Sequence, residues 1–230
     1  MELYAGIDLH SNNCYLGIID EQLAKIFGRR LNNSLQLVLD CLEPYKKDLQ
    51  GVVVESTYNW YWLVDGLQEH GYKVLLANPA AIKQYEGIKY SDDKWDALFL
   101  AHLLKLGILP QGYIYPKETR PMRDMLRRRM LFVRQRTADI LSFQSMITRN
   151  TGGRMSVNNI KKLTEDSLGQ LFSDPDLFFL AQRYLSIIEL LSQQIKMIEK
   201  QAMGTIGLSE QFKWLSTITG VGKILAMTIM

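Results

Sequence analysis

The chain has 230 residues, 47% of them hydrophobic, and a formal net charge of +3. That is enough apolar side chain for one full core and a second, smaller module, and it excludes disorder as the overall state. The longest apolar runs, such as 51–54 and 74–77, fall far short of the roughly 20 residues that a membrane-spanning helix needs. The amino terminus enters an alternating segment directly, with no basic region, apolar core and cleavage site, so neither an export signal nor a transit peptide is read and a cytoplasmic protein is expected. Cys14 and Cys41 have no CxxC or CxxH spacing, which excludes zinc fingers and a disulfide framework; both are expected as small core residues.

Taken in chain order, LYAGIDL (3–9) and NCYLGII (13–19) read as strands around the turn His10-Ser11-Asn12, and AKIFGRRL (24–31) adds a third antiparallel strand. Helical apolar spacing follows at Leu35, Val38, Leu39 and Leu42, with Ser34 as N-cap and Pro44 as the stop of a helix over 34–46. The run GVVVE (51–55) lacks alternation, as expected of a parallel strand buried on both faces. A helix over 58–69 closed by Gly71, a strand over 72–76 and a helix over 94–106 complete the series. Three antiparallel strands, helix, parallel strand, helix and strand is the order of a ribonuclease H-like mixed α/β sheet with flanking helices.

Beyond Pro116 no strand-like window occurs, and an all-α coiled-coil region is expected. Leu126, Met130, Val133, Thr137, Ile140, Gln144 and Ile147 alternate steps of four and three, and Leu177, Ala181, Tyr184, Ile188, Leu191, Ile195, Ile198 and Ala202 keep the same rhythm. Each seam must be buried against another helix. The link at 150–175 allows either a folded-back hairpin or pairing with a second subunit, and a homodimer or higher homo-oligomer through these helices is expected.

Several acids stand where a solvated surface would not need them. Asp8 ends the first strand, Glu55 ends the VVV run, and Asp93 and Asp96 share one face at the start of a helix. If the first and fourth strands pair, all four meet in one pocket. Two like charges about 4 Å apart repel by about 4 kcal/mol at an effective dielectric of 20, so the set calls for cations. Hard oxygen ligands without cysteine or a histidine cluster favour Mg²⁺, with Mn²⁺ as its substitute, and two such ions suit phosphodiester cleavage. The competing reading has Asp8 and Glu55 bonded to loops and Asp93 and Asp96 merely favouring a helix N-terminus. Asp93 rather than Asp92 is chosen because it alone gives the DxxD spacing with Asp96.

The segments GIDLHS (6–11), VVVESTYNWYWL (52–63), LANPAAIKQYEG (76–87) and KYSDDKWDALFLAHLL (89–104) resemble the DEDD transposases of insertion sequence 110 and its relatives, which include the Piv-type DNA invertases. The similarity runs on to ITGVGKILA (218–226). It implies a RuvC-like domain over 1–116 with Asp8, Glu55, Asp93 and Asp96 as catalytic, metal-binding tetrad, a coiled-coil region over 117–205, and the start of a C-terminal transposase domain over 206–230. It also implies DNA and a guide (bridge) RNA as partners, no membrane, and a prokaryotic, nucleoid-associated location. The family supplies a serine nucleophile downstream of the GxG segment; no serine follows Ser216, so a C-terminally truncated chain that is not fully active is expected.

Tyr58-Asn59-Trp60-Tyr61-Trp62 should be largely core, with Tyr58 or Trp60 as the member free to stack on a base. The three histidines are scattered, and none is assigned to the site; His10 is expected on the opposite strand face if the first strand continues through it. Arg120, Arg123, Arg127, Arg128, Arg129, Arg134 and Arg136 form a basic stripe suited to phosphates, extended by Lys223 in the Gly220-Val221-Gly222-Lys223 turn. The competing reading is a solvated face balanced by acids across the bundle. Two other functions stay open: a RuvC-like, Mg²⁺-dependent Holliday-junction or structure-specific nuclease, and a non-enzymatic RNA-binding dimerisation module.

Overall fold

Alternation in LYAGIDL sends Leu3, Ala5, Ile7 and Leu9 of β1 (Leu3–Leu9) into one core and leaves Tyr4, Gly6 and Asp8 on the other sheet face. β2 (Asn13–Asp20) pairs antiparallel with β1, and β3 (Lys25–Asn32) pairs antiparallel with β2. α1 (Leu35–Leu42) ends in a short 3₁₀ turn over Glu43–Tyr45, where Pro44 cannot continue the α-helical ladder. β4 (Leu49–Glu55) then runs parallel to β1, α2 (Tyr61–Glu69) crosses over, and β5 (Val74–Ala77) runs parallel to β4. α3 (Asp93–Lys105) follows, and a two-residue strand β6 (Gln111–Gly112), too short to leave a sequence signal, pairs antiparallel with β5. The sheet order is β3-β2-β1-β4-β5-β6. It is the ribonuclease H-like arrangement. This computed structural model describes residues 1–82, 92–206 and 209–229; the parts of the third and fourth motifs that fall in 83–91 lie outside them.

Two layers flank the sheet. Val38, Leu39 and Leu42 of α1 and Leu63, Val64 and Leu67 of α2 pack with the β1 row Leu3–Leu9 and with Val52 and Val54 of β4. On the other face Leu100 and Leu103 of α3 pack with Val53 and Ala77. β4 therefore buries both faces, which explains its unbroken valines.

The seat of α3 is made by missing side chains. Gly6 and Gly17 are paired across β1 and β2. A Cβ on Gly6 would lie 2.0 Å from the Ala97 carbonyl oxygen, and one on Gly17 would lie 2.8 Å from Leu98 Cδ2. The helix thus rests on bare backbone, closer than any side chain would permit.

Residues Met1–Pro116 make up this unit, and Lys117–Met230 make up a second, all-helical one. In it α4 (Arg120–Thr151) and α7 (Pro175–Ile206), 32 residues each, form an antiparallel pair. Arg129 meets Glu199, Arg136 meets Ser192 and Ser142 meets Tyr184, while Phe143 stacks on Tyr184 with ring centroids 5.3 Å apart. Ala181, Ile188, Ile195 and Ala202 of the second seam are buried, so this seam is consumed inside the chain by the hairpin. Met130 and Thr137 of the first seam are exposed, as a straight helix drifts from a seven-residue repeat. The link contains two short helices, α5 (Val157–Ile160) and α6 (Glu165–Leu171), started by Ser156 and by a Thr164–Ser167 capping box. Their Ile160 and Leu168 are buried against Phe143, Met146 and Ile147, so the link is part of the core. α8 (Glu210–Ser216) and α9 (Lys223–Ile229) close the chain, with Phe212, Ala226 and Met227 packed around Leu126 and Ala202. No described helix is long and apolar enough to cross a membrane.

Candidate metal centre

The sheet's period of two decides which acids can meet. Asp8 lies two residues beyond Gly6 on β1, and Glu55 two beyond Val53 on β4, so both stand on the α3 face at the carboxyl ends of adjacent parallel strands. Ile7 is level with Val54, and one further step along this register brings Asp8 beside Glu55. α3 supplies the remaining acids. Asp92 is its N-cap, with Oδ1 accepting a 2.7 Å hydrogen bond from the Trp95 amide. That assigns Asp92 to the helix start and leaves Asp93 and Asp96, in the first turn, for the sheet end. Because Ala97 rests on Gly6, Asp93 one turn earlier reaches past Asp8.

The structure gathers Asp8, His10 and Asp93 so that one ligand atom from each lies within 4.8 Å of the others. His10 Nε2 stands 3.0 Å from Asp8 Oδ2 and 3.2 Å from Asp93 Oδ1. The other oxygen of Asp93 is in contact with the Arg30 guanidinium from β3. Glu55 adjoins this group. Burial, hydrogen bonding to Asp8 and the charges of Asp8 and Asp96 together push its carboxyl up to about 8, well above the carboxylate range. All four acids singled out in the sequence therefore belong to one neighbourhood, Asp8 and Asp93 in close approach and Glu55 and Asp96 through their charges.

The donors fit a divalent cation. The Asp8 side chain is 4% exposed, and among the described residues its Oδ2 has no hydrogen-bond partner. A buried carboxylate oxygen left in that state is costly unless a cation faces it. Carboxylate oxygens from strand ends and a helix start, crowded enough to raise the Glu55 carboxyl, are donors that hard ions such as Mg²⁺, Mn²⁺ or Ca²⁺ take up.

The family described as "DEDD_Tnp_IS110: Transposase" matches residues 5–150. The chain belongs to this transposase family. No curated protein matches the chain. Among solved structures, "T. thermophilus RuvC in complex with Holliday junction substrate" is similar at 19% identity, with a TM-score of 0.38, over 49% of this chain and 100% of that one.

Two residues of this cluster escape a reading of the sequence. His10 is not on the far side of the strand: β1 stops at Leu9, and a period of two in any case sets residue 10 on the side of residue 8. Arg30 is found only through the sheet, since Asp8 pairs with Tyr15 and Tyr15 with Arg30 on one face. His70 instead caps α2, its Nδ1 2.7 Å from the Gly66 carbonyl, and His102 packs edge-on against Phe99.

The basic stripe divides. Arg120 is buried. Arg129 spends its Nε and Nη2 on Glu199, each at 2.7 Å, and Arg136 donates to Ser192, so both serve the hairpin. Arg123 is half-buried, whereas Arg127, Arg128 and Arg134 face solvent, Arg128 lying over the Phe132 ring. Lys223 is exposed at the start of α9. Of the aromatic cluster, Trp60 is core and Tyr58 is 82% exposed, three residues beyond Glu55.

Proposed function

We propose that this chain cleaves and joins the DNA of an insertion sequence at a site where Asp8, Glu55, Asp93 and Asp96 hold Mg²⁺, with Mn²⁺ as substitute, under the guidance of a bridge RNA. The observation that supports the reading is the buried Asp8, whose Oδ2 has no hydrogen-bond partner among the described residues, close to a second carboxylate from the start of α3. When bound, the divalent ions polarise a phosphodiester and stabilise charge on its attacking and leaving oxygens. The protein's own residues do the rest. Asp8 and Glu55 are fixed by strands, Asp93 and Asp96 by a helix seated on glycines, and Tyr58 presents a ring to an unpaired base beside Glu55. Arg127, Arg128, Arg134 and Lys223 attract DNA and RNA backbones.

The same reading divides the chain into a metal-binding part at 1–116, a coiled-coil part at 117–205 and a further segment from 206. It places the protein on the nucleoid of a prokaryotic cell. Homo-oligomers would form through a second stripe of α7, where Leu180, Ile187, Leu190 and Met197 are 43–63% exposed at coiled-coil spacing.

The test is cleavage. The purified chain with Mg²⁺ is expected to nick branched or duplex DNA, and Glu55→Gln, which keeps the shape and removes the charge, to abolish it. Equal nicking by Glu55→Gln would sink the catalytic assignment, and RNA binding that survives chelator without any nicking would favour the non-enzymatic binding module.

A further inference from the structure

We propose that His10 is itself a metal ligand, its Nε2 completing with Asp8 and Asp93 a mixed nitrogen–oxygen site that discriminates Mn²⁺ from Mg²⁺. The inference rests on the metal-site reading above and adds to it a residue outside the four carboxylates.

The distances are those of a coordination shell. In an octahedral site with bonds of roughly 2.1 Å, neighbouring ligand atoms at right angles are about 3.0 Å apart. His10 Nε2 lies 3.0 Å from Asp8 Oδ2 and 3.2 Å from Asp93 Oδ1. Among the described residues Asp8 Oδ2 has no hydrogen-bond partner of normal geometry, and His10 Nε2 stands beside it at ion-pair distance. Three donor atoms converge on a common space, one of them from a side chain 4% exposed, as the ligands of one cation would.

The backbone holds His10 in place independently of its ring. Its carbonyl accepts hydrogen bonds from Asn33 Nδ2 at 3.0 Å and Asn59 Nδ2 at 2.9 Å, and its amide donates to the Asn13 carbonyl at 2.9 Å. Residues following β3 and β4, together with the first residue of β2, thus fix the turn after β1. The two oxygens of Asp93 are likewise divided, Oδ2 to Arg30 and Oδ1 toward His10. Pre-set ligands of this kind favour the ion whose preferences they match. Mg²⁺ is served by oxygen and water, whereas imidazole shifts a site toward transition ions. His10 therefore raises the affinity for Mn²⁺ relative to Mg²⁺.

The test is pulsed electron paramagnetic resonance of Mn²⁺ bound to the full chain, with titrations of Mn²⁺ and Mg²⁺ followed by calorimetry. Coordination by His10 produces a nitrogen modulation on the Mn²⁺ echo that changes isotope when the histidines are labelled with ¹⁵N. It persists in His70→Gln and His102→Gln and disappears in His10→Gln. His10→Gln is also expected to weaken Mn²⁺ about tenfold or more and Mg²⁺ by less than about threefold. Because the echo is read on the unmutated protein, the outcome does not depend on a variant folding. Mn²⁺ bound in an Asp8-dependent way without nitrogen modulation would overturn the His10 inference and leave the carboxylate site standing. Failure of the chain to bind Mn²⁺, or binding indifferent to Asp8→Asn, would overturn both.

Discussion

The sheet-end acids and the arginines of α4 represent two ways of handling concentrated charge. In the first unit, Asp8, Glu55, Asp93 and Asp96 are brought together by strand register and by a helix lying on glycine, and the scaffold gives them no freedom to separate. Among the described residues His10 and Arg30 stand against them, and a proton on Glu55 or a metal would relieve their repulsion further. In the second unit, α4 spreads its arginines along 32 residues, where Arg129 pairs with Glu199 across the hairpin and Arg127, Arg128 and Arg134 face water. Buried, rigid charge makes a site whose state depends on a few closely held cations. Extended, solvated charge makes a surface whose effect is a sum over many weak contacts.

The sharpest way to break this contrast acts on the hairpin. Ile188 and Ile195 are each 4% exposed, so Ile188→Asp with Ile195→Asp sets two carboxylates into the α4–α7 core. The loss of stability should be at least about 4 kcal/mol for the pair, enough to melt the helical unit. Ile187→Asp with Leu190→Asp, on the exposed stripe, should leave the melting temperature nearly unchanged and lower the molar mass seen by light scattering if subunits associate there. A double change at Ile188 and Ile195 that leaves the circular dichroism melt intact would show that the seam is not buried within one chain.

Next in size is Gly6→Ala. A Cβ at 2.0 Å from the Ala97 carbonyl oxygen meets backbone rather than a flexible side chain, so α3 must lift. The expected loss is about 1–3 kcal/mol, as for overpacked cores, and Asp93 should move from Asp8 with it. Weakened Mn²⁺ binding alongside a lowered melting temperature is the predicted pair of results. Gly6→Ala binding Mn²⁺ as tightly as the unmutated chain would show that the helix seat does not set the site.

Glu55 offers a subtler comparison through pH. Its folded carboxyl titrates near 8 against an ordinary value of 4.5, so between these values the folded state keeps a proton that the unfolded state has lost. Stability from this group is present below the ordinary value and is lost as pH rises toward 8. In chelator the melting temperature should fall across that window, and either Glu55→Gln or added Mn²⁺ should flatten the slope. A profile identical in Glu55→Gln would mean that Glu55 carries no such shift.

The elements that hold the acids could be read from the sequence because strand ends and helix starts leave local marks. Asp8 and Glu55 each follow an apolar run, and the three-residue spacing of Asp93 and Asp96 marks one helix face. His10 was legible from the strand period of two, which sets it on the side of Asp8, whereas Arg30 required the pairing of three strands. The heptads of α7 announced that the seam is buried, but periodicity carries no record of whether the partner helix belongs to the same chain. For the link, the signal was local and available: Ser156 and Thr164, with Ser167 three residues on, mark two helix starts in 150–175.

The smallest predicted effect separates the two kinds of arginine. Each phosphate neutralised on duplex DNA adds about 0.9 to the slope of log affinity against log salt. Arg134→Ala should therefore lower that slope by about 1, and the triple change at Arg127, Arg128 and Arg134 by about 3, with little loss of thermal stability. Arg129→Ala should do the reverse, since its guanidinium is already held by Glu199; the salt slope stays, and the hairpin loses about 1 kcal/mol. Fluorescence anisotropy of labelled DNA or RNA over a range of KCl, in chelator so that the metal site is silent, measures both. If Arg129→Ala shifts the salt slope as much as Arg134→Ala, then nucleic acid competes with Glu199 for Arg129, and the hairpin's internal ion pair is part of the binding surface rather than withdrawn from it.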